Sequence, residues 1–237
     1  MDTHTQTKPL AVISGGTGYI GSAIVAELRK NGWQAIALSQ DAVPTNEVYT
    51  CDVTNEKEVH ECIADIVDTY GPLSALIHAA SPSLERIPLL SVSTVSFDAA
   101  LNTNVRAAFL LAKEAIPHMQ KGAAFIGITT HAIEPGTLQP HGAYIPAKYA
   151  LRGFLRALAA ETGESGIRVY AVAPGFLPGG LNKDIPQPIQ DFLANKSGTN
   201  RESHRELSIL VRKLCVGDAE FSLGSSIAFP SLTMSPL

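Results

Sequence analysis

"VISGGTGYIGSAI", residues 12–24, joins an apolar run to an amphipathic one through Gly15, Gly18 and Gly21. Upstream, "PLAVIS" (9–14) reads as a buried strand. Downstream, "SAIVAELRKNG" (22–32) sets Ile24, Val25 and Leu28 at helical spacing and stops at Gly32. A tight turn that lets backbone approach a diphosphate needs residues without a Cβ. The amides that open the following helix then face the anion. GxxGxxG in this context predicts a dinucleotide-binding loop; a glycine-rich turn with no ligand is the plain alternative.

The same alternation continues along the chain. "QAIALS" (34–39), "EVYTC" (47–51), "SALIHAA" (74–80), "AAFIGITT" (123–130), "IRVYAVA" (167–173) and "SSIAF" (225–229) read as strands, the last of them closing the series. Residues 55–71, capped by Asn55, and 147–161 read as helices. Residues 94–120 read as one long helix or two, stopping near Lys121-Gly122. Repeated strand-helix units predict an α/β fold: a doubly wound, Rossmann-like parallel sheet in three αβα layers. The 237 residues fit one domain over 9–237 behind a flexible tail, 1–8. Pro and Gly gather in 174–200, which predicts a long irregular insertion and a substrate lid around 175–205.

A net charge of −4 with no long basic run argues against nucleic acid or an anionic membrane as partner. Three cysteines (Cys51, Cys62, Cys215) without CxxC spacing argue against disulfides or zinc. The polar start and the lack of a spanning apolar stretch predict a cytoplasmic protein.

"HGAYIPAKYAL" (141–151) puts Tyr144 four residues ahead of Lys148, on one helix face. A phenol normally titrates near about 10. A neighbouring ammonium lowers that value, so the phenol can trade a proton with a carbonyl oxygen. A packed tyrosine beside an exposed lysine is the bland alternative. Asp52 can accept from an adenine amino group or simply shape a turn. At the tip of the second strand stands Ser39, where a carboxylate favours NAD and an arginine NADP. Neither is present, and the missing carboxylate tilts the reading toward NADP over NAD.

Together, "SGGTGYIG" (14–21), "CDVT" (51–54), "LIHAAS" (76–81), "NVRAAFLLAKEAIPHM" (104–119), "GITT" (127–130), "YIPAK" (144–148), "VYAVAPGF" (169–176) and "FSLGSSIAF" (221–229) resemble the short-chain dehydrogenase/reductase family. The resemblance implies a ketone–alcohol oxidoreductase using NADP or NAD. It makes Tyr144 the acid/base, Lys148 its tuning group and ribose anchor, and Asn104 the holder of a relay water. It assigns cofactor contacts to Gly15, Thr17, Gly18, Tyr19, Ile20, Gly21, Ser39, Asp52, Val53, Ala79, Ala80, Tyr144, Lys148, Pro174 and Gly175. It further implies a small-molecule carbonyl or alcohol substrate and a homodimer or homotetramer.

Several positions depart from the family. The usual carbonyl-binding serine is absent. Strand alignment puts Thr130 there, and counting back from Tyr144 puts His131 there; Thr130 is favoured. Tyr19 replaces a loop glycine, a spacing similar to the longer epimerase-like branch, although only about 60 residues follow Pro174-Gly175. "HAAS" (78–81) replaces NNAG. Gly179 replaces a nicotinamide-contacting threonine. Pro146 requires the helix to begin close to Tyr144. These departures motivate an alternative, a dinucleotide-binding regulator or scaffold with little catalysis.

Overall fold

The computed structural model describes residues 8–133, 141–217 and 224–236. The expected tail, apart from its last residue, lies outside them, as do Phe221–Leu223 of the last family motif.

Eight strands form one sheet: β1 (Leu10–Ser14), β2 (Gln34–Ser39), β3 (Val48–Thr50), β4 (Leu73–His78), β5 (Met119–Ile128), β6 (Arg168–Pro174), β7 (Ser225–Phe229) and β8 (Met234–Pro236). Their order is β3-β2-β1-β4-β5-β6-β7-β8. The chain runs outward from β1 to β3, then returns to place β4 on the other side of β1. That reversal opens a crevice beyond the carboxyl ends of β1 and β4, where such sheets bind ligands.

Every residue of β1 is buried, because helices cover both faces. Leu10 and Val12 pack with Ile36, Leu38, Leu76 and Phe125 on one face. Ala11 and Ile13 pack with Ala35, Ala37, Ala75 and Ile77 on the other. Helices α1 (Tyr19–Lys30) and α7 (Ser203–Val216) lie on this second face, which small alanines let them approach closely. The first face carries α2 (Glu56–Tyr70), α4 (Ala107–Ala115) and α5 (Tyr144–Thr162). Asn55 caps α2 by accepting from the amides of Lys57 and Glu58.

Three expectations need correction. The segment 94–120 is α3 (Thr94–Leu101), a π-helical stretch (Asn102–Arg106) and α4, and the chain is already in β5 at Met119, so Lys121-Gly122 stops no helix. The region 174–200 is not wholly irregular: α6 (Gln187–Ser197) forms within it, since Pro186 and Pro188 sit at its start, where a missing N–H costs nothing. "SSIAF" is not the last strand, because β8 pairs antiparallel with β7 at the sheet edge. Three residues ending in proline carry no strand periodicity, and proline is tolerated there because it needs no partner on the open side.

Candidate active site

The glycine loop sits at the mouth of the β1–β4 crevice. Gly15 has φ +67°, and a Cβ there would lie 2.8 Å from Ala80 Cα. A Cβ on Gly21 would lie 2.1 Å from the Gly15 carbonyl oxygen. The loop therefore folds flat against Ala79-Ala80 only with glycines in place. Gly18 precedes α1 and no side chain caps that helix. Glycine cradle and uncapped helix amides together fit a dinucleotide diphosphate. At the β2 tip the Thr17 hydroxyl donates to Ser39 Oγ at 2.8 Å. Asp52 Oδ1 accepts from the Thr54 amide (2.9 Å) and hydroxyl (2.7 Å), so it does shape a turn. Val53 is buried in the core beside it. Pro174 ends β6, and the Gly175 amide donates to the Phe229 carbonyl at 2.8 Å.

Two departures from the family pattern explain each other. The Tyr19 phenol donates to the Pro178 carbonyl at 2.6 Å and lies 3.1 Å from His204 Nδ1. Its ring fills the space beneath Gly179 and Gly180. A Cβ on Gly179 (φ +96°) would lie 3.1 Å from that ring, and one on Gly180 2.8 Å. A side chain at 179 therefore competes with the aromatic ring at 19. Gly179→Thr is expected to destabilise the fold by about 1–3 kcal/mol. The added Tyr19→Gly change recovers part of that loss, a coupling of at least about 0.5 kcal/mol in a urea double-mutant cycle. Strict additivity would disprove the link.

The helix bearing the Tyr-Lys pair begins at Tyr144 itself, so Pro146 falls in its first turn, where its missing N–H breaks no bond. Tyr144 stands partly exposed on the wall of a cavity of about 260 Å³ that Asn104, Ala100 and Ala143 also line. Burial raises the Tyr144 phenol, and a hydrogen bond from the Thr130 hydroxyl acts in the opposite direction. Thr130 is buried and also accepts from the Ala132 amide at 3.2 Å, whereas His131 is exposed.

Lys148 Nζ lies 5.6 Å from the Tyr144 ring centroid and donates to the Ile128 carbonyl at 2.8 Å. Burial pushes this ammonium down to about 7. The phenol is thus raised rather than lowered in this state, and Thr130 rather than Lys148 is the group that opposes the rise. Asn104 is buried within the π-helical stretch; its Nδ2 donates to the Ala100 carbonyl at 2.9 Å, and its Oδ1 has no partner.

Sequence reasoning treated His78 only as a departure from the family and passed over Ser14. Ser14 Oγ lies 2.7 Å from His78 Nδ1. His78 Nε2 lies 3.1 Å from the Asn104 carbonyl oxygen. Burial, followed by the Lys148 charge, pushes this imidazole down to about 3. The available signal was a polar residue ending each of two mostly apolar strands.

A glycine loop shaped to fit a diphosphate at a sheet switch point, with Tyr144 and Lys148 on one helix face, defines an α/β protein of the doubly wound class. A family model described as "Enoyl-(Acyl carrier protein) reductase" matches residues 20–228. "Short-chain dehydrogenase reductase 3a" of Arabidopsis thaliana is 32% identical over 187 residues, covering 73% of this chain and 72% of that one. "Tropinone reductase-like 3" of Erythroxylum coca is 27% identical over 251 residues, covering 96% and 94%. A short-chain dehydrogenase from Burkholderia cenocepacia J2315, solved with NADP, superimposes with TM-score 0.83 at 20% identity, covering 94% and 96%. The chain belongs to the short-chain dehydrogenase/reductase family, and with it to the NAD(P)-dependent oxidoreductases.

Proposed function

We propose that this chain interconverts a ketone and a secondary alcohol. The observation that carries the reading is the Tyr144 phenol, hydrogen-bonded to the Thr130 hydroxyl, on the wall of a cavity that Asn104 also lines. NADP or NAD, when bound, supplies or accepts the hydride. Gly15, Thr17, Gly18, Tyr19, Ile20 and Gly21 would hold the cofactor with Ser39, Asp52, Val53, Ala79, Ala80, Pro174 and Gly175. Tyr144 gives its proton to the carbonyl oxygen as the ketone becomes the alcohol, and takes it back in the reverse direction. Thr130 donates to the same oxygen and fixes its position. Lys148 leaves the Ile128 carbonyl to anchor the ribose and, with Asn104, returns a proton to Tyr144. A small apolar wall of Ala99, Ala100 and Ala143 supports a mid-sized, partly apolar ketone, such as a 3-oxoacyl, polyketide- or steroid-like one. A relative named as tropinone reductase-like supports the ketone class.

NADP is favoured over NAD, because no carboxylate stands at Ser39 to repel a 2′-phosphate and the paired Thr17 and Ser39 hydroxyls can donate to one. Ser39→Asp is expected to shift the NADPH-to-NADH affinity ratio toward NADH by at least about tenfold, ~1.4 kcal/mol, in fluorescence titrations. An unchanged ratio removes Ser39 from the ribose site. Phe109 on α4 and Tyr149 on α5 are each 51% exposed, which supports a helix-faced homodimer or homotetramer. No helix among the described residues is long and apolar enough to cross a membrane, and a cytoplasmic location accords with three buried free cysteines.

The test is a titration with NADPH and NADH followed by a ketone panel with the wild-type chain and Tyr144→Phe. Turnover that disappears in Tyr144→Phe supports the enzyme. Tight cofactor binding without turnover across a broad panel supports a non-catalytic regulator instead.

A further inference from the structure

Behind the cavity wall at Asn104 runs a buried hydrogen-bonded chain whose other members, Ser14 and His78, the proposed reaction does not use. Ser14 ends β1 one residue before the glycine loop, and His78 ends β4 directly opposite it. Both are fully buried. The imidazole has Ser14 Oγ on one edge (2.7 Å) and the Asn104 carbonyl on the other (3.1 Å).

A carbonyl oxygen only accepts, so the proton sits on Nε2. A neutral imidazole has one N–H, so Nδ1 accepts from the Ser14 hydroxyl. Asn104 occupies the π-helical stretch, where the Ala107 amide reaches back five residues to the Asn102 carbonyl. Such a wide turn disturbs the regular pairing of nearby carbonyls, and π-bulges gather at functional sites. His78 gives the one at Asn104 a partner from outside the helix. The side chain of Asn104 is meanwhile held by Ala100 and its Oδ1 is buried with no partner, while the residue stands in the cavity wall beside Tyr144. An unpaired buried acceptor is costly, so the residue needs a tie from outside its own helix to hold this conformation.

We infer that His78 is a positioning residue: its imidazole ties the strand that carries the glycine loop to the Asn104 carbonyl, and so holds the π-helical stretch that places Asn104 in the cavity wall beside Tyr144. The inference rests on the ketone-reductase reading. Histidine suits the task because its two nitrogens lie on opposite edges and reach both partners.

The test compares His78→Asn and His78→Gln. The terminal amide of asparagine falls near the Nδ1 position and reaches only Ser14. That of glutamine falls near Nε2 and reaches the Asn104 carbonyl. His78→Asn is expected to lose between about tenfold and a hundredfold in kcat, with ketone KM and NADPH Kd nearly unchanged. His78→Gln recovers most of that loss. Nitrogen-15 NMR of the wild-type chain, which needs no turnover and no variant, should show His78 protonated on Nε2 and bare on Nδ1. Wild-type kcat in His78→Asn, equal losses in both variants, or a proton on Nδ1 would overturn the inference. Turnover that survives Tyr144→Phe overturns the reductase reading instead and leaves the tautomer result standing. Wild-type kcat in His78→Asn alongside an inactive Tyr144→Phe overturns the positioning role alone.

Discussion

Tyr144→Phe is expected to lower ketone turnover by about 10²–10⁴-fold, the range for removing a positioned acid/base group. The ring stays in place and only the hydroxyl goes, so the wall it shares with Asn104 and Ala143 keeps its shape. The glycine loop, Thr17 and Ser39 are untouched, and NADPH affinity by fluorescence should remain within about threefold of wild type, under ~1 kcal/mol. Burial raises the phenol, so at neutral pH it holds its proton. That is the state a ketone reduction consumes. Alcohol oxidation needs the phenolate, which only the Thr130 hydrogen bond favours here. Reduction should therefore be the faster direction at neutral pH, and oxidation should gain as pH rises. A Tyr144→Phe protein that binds NADPH and keeps even a tenth of the wild-type rate means another group supplies the proton.

The second large effect is loss of stability in acid. His78 is held down to about 3 by burial and by the Lys148 charge, against an ordinary value of 6.5. Below pH 6.5 the unfolded chain takes up a proton there and the folded chain does not. Stability is therefore fully present above pH 6.5 and falls as pH drops toward 3, by a total on the order of 5 kcal/mol. Whole domains have about 5–15 kcal/mol in all, so this one side chain can decide acid denaturation. Lys148 adds to the trend at higher pH. It is pushed down to about 7 from an ordinary 10.5, so the unfolded chain also holds the extra proton between those values, and stability rises with pH across them. Urea midpoints at pH 7.5 and 4.5 measure the acid limb, where His78 accounts for about 3 kcal/mol. His78→Gln, which does not titrate, should flatten it. An equally steep acid limb in that variant would assign the loss to carboxylates.

The legible parts of this protein were those carried by short-range periodicity. The apolar run of residues 10–14, the glycines after it and the helical spacing of Ile24, Val25 and Leu28 specify a strand–loop–helix unit without reference to the rest of the chain. The Tyr144–Lys148 spacing places both residues on α5 for the same reason. Even Pro146, a defect in a longer helix, located the start of that one. Such patterns depend on neighbours within a turn or two, and those neighbours are written in order.

Partners brought together across the sheet were not legible. That Thr130 faces the phenol while His131 turns to solvent depends on how β5 ends. That Lys148 holds the Ile128 carbonyl depends on the depth of α5 against β5. Tyr19 and Gly179 read as two unrelated departures until the fold laid one upon the other, 160 positions apart along the chain. Ser14 and His78 are 64 residues apart, and His78 and Asn104 are 26 apart. Backbone periodicity comes from local sterics and local burial, so the chain alone determined it. Which polar groups meet inside the crevice depends on strand register and on which atoms lose water together, and only the assembled sheet decided that.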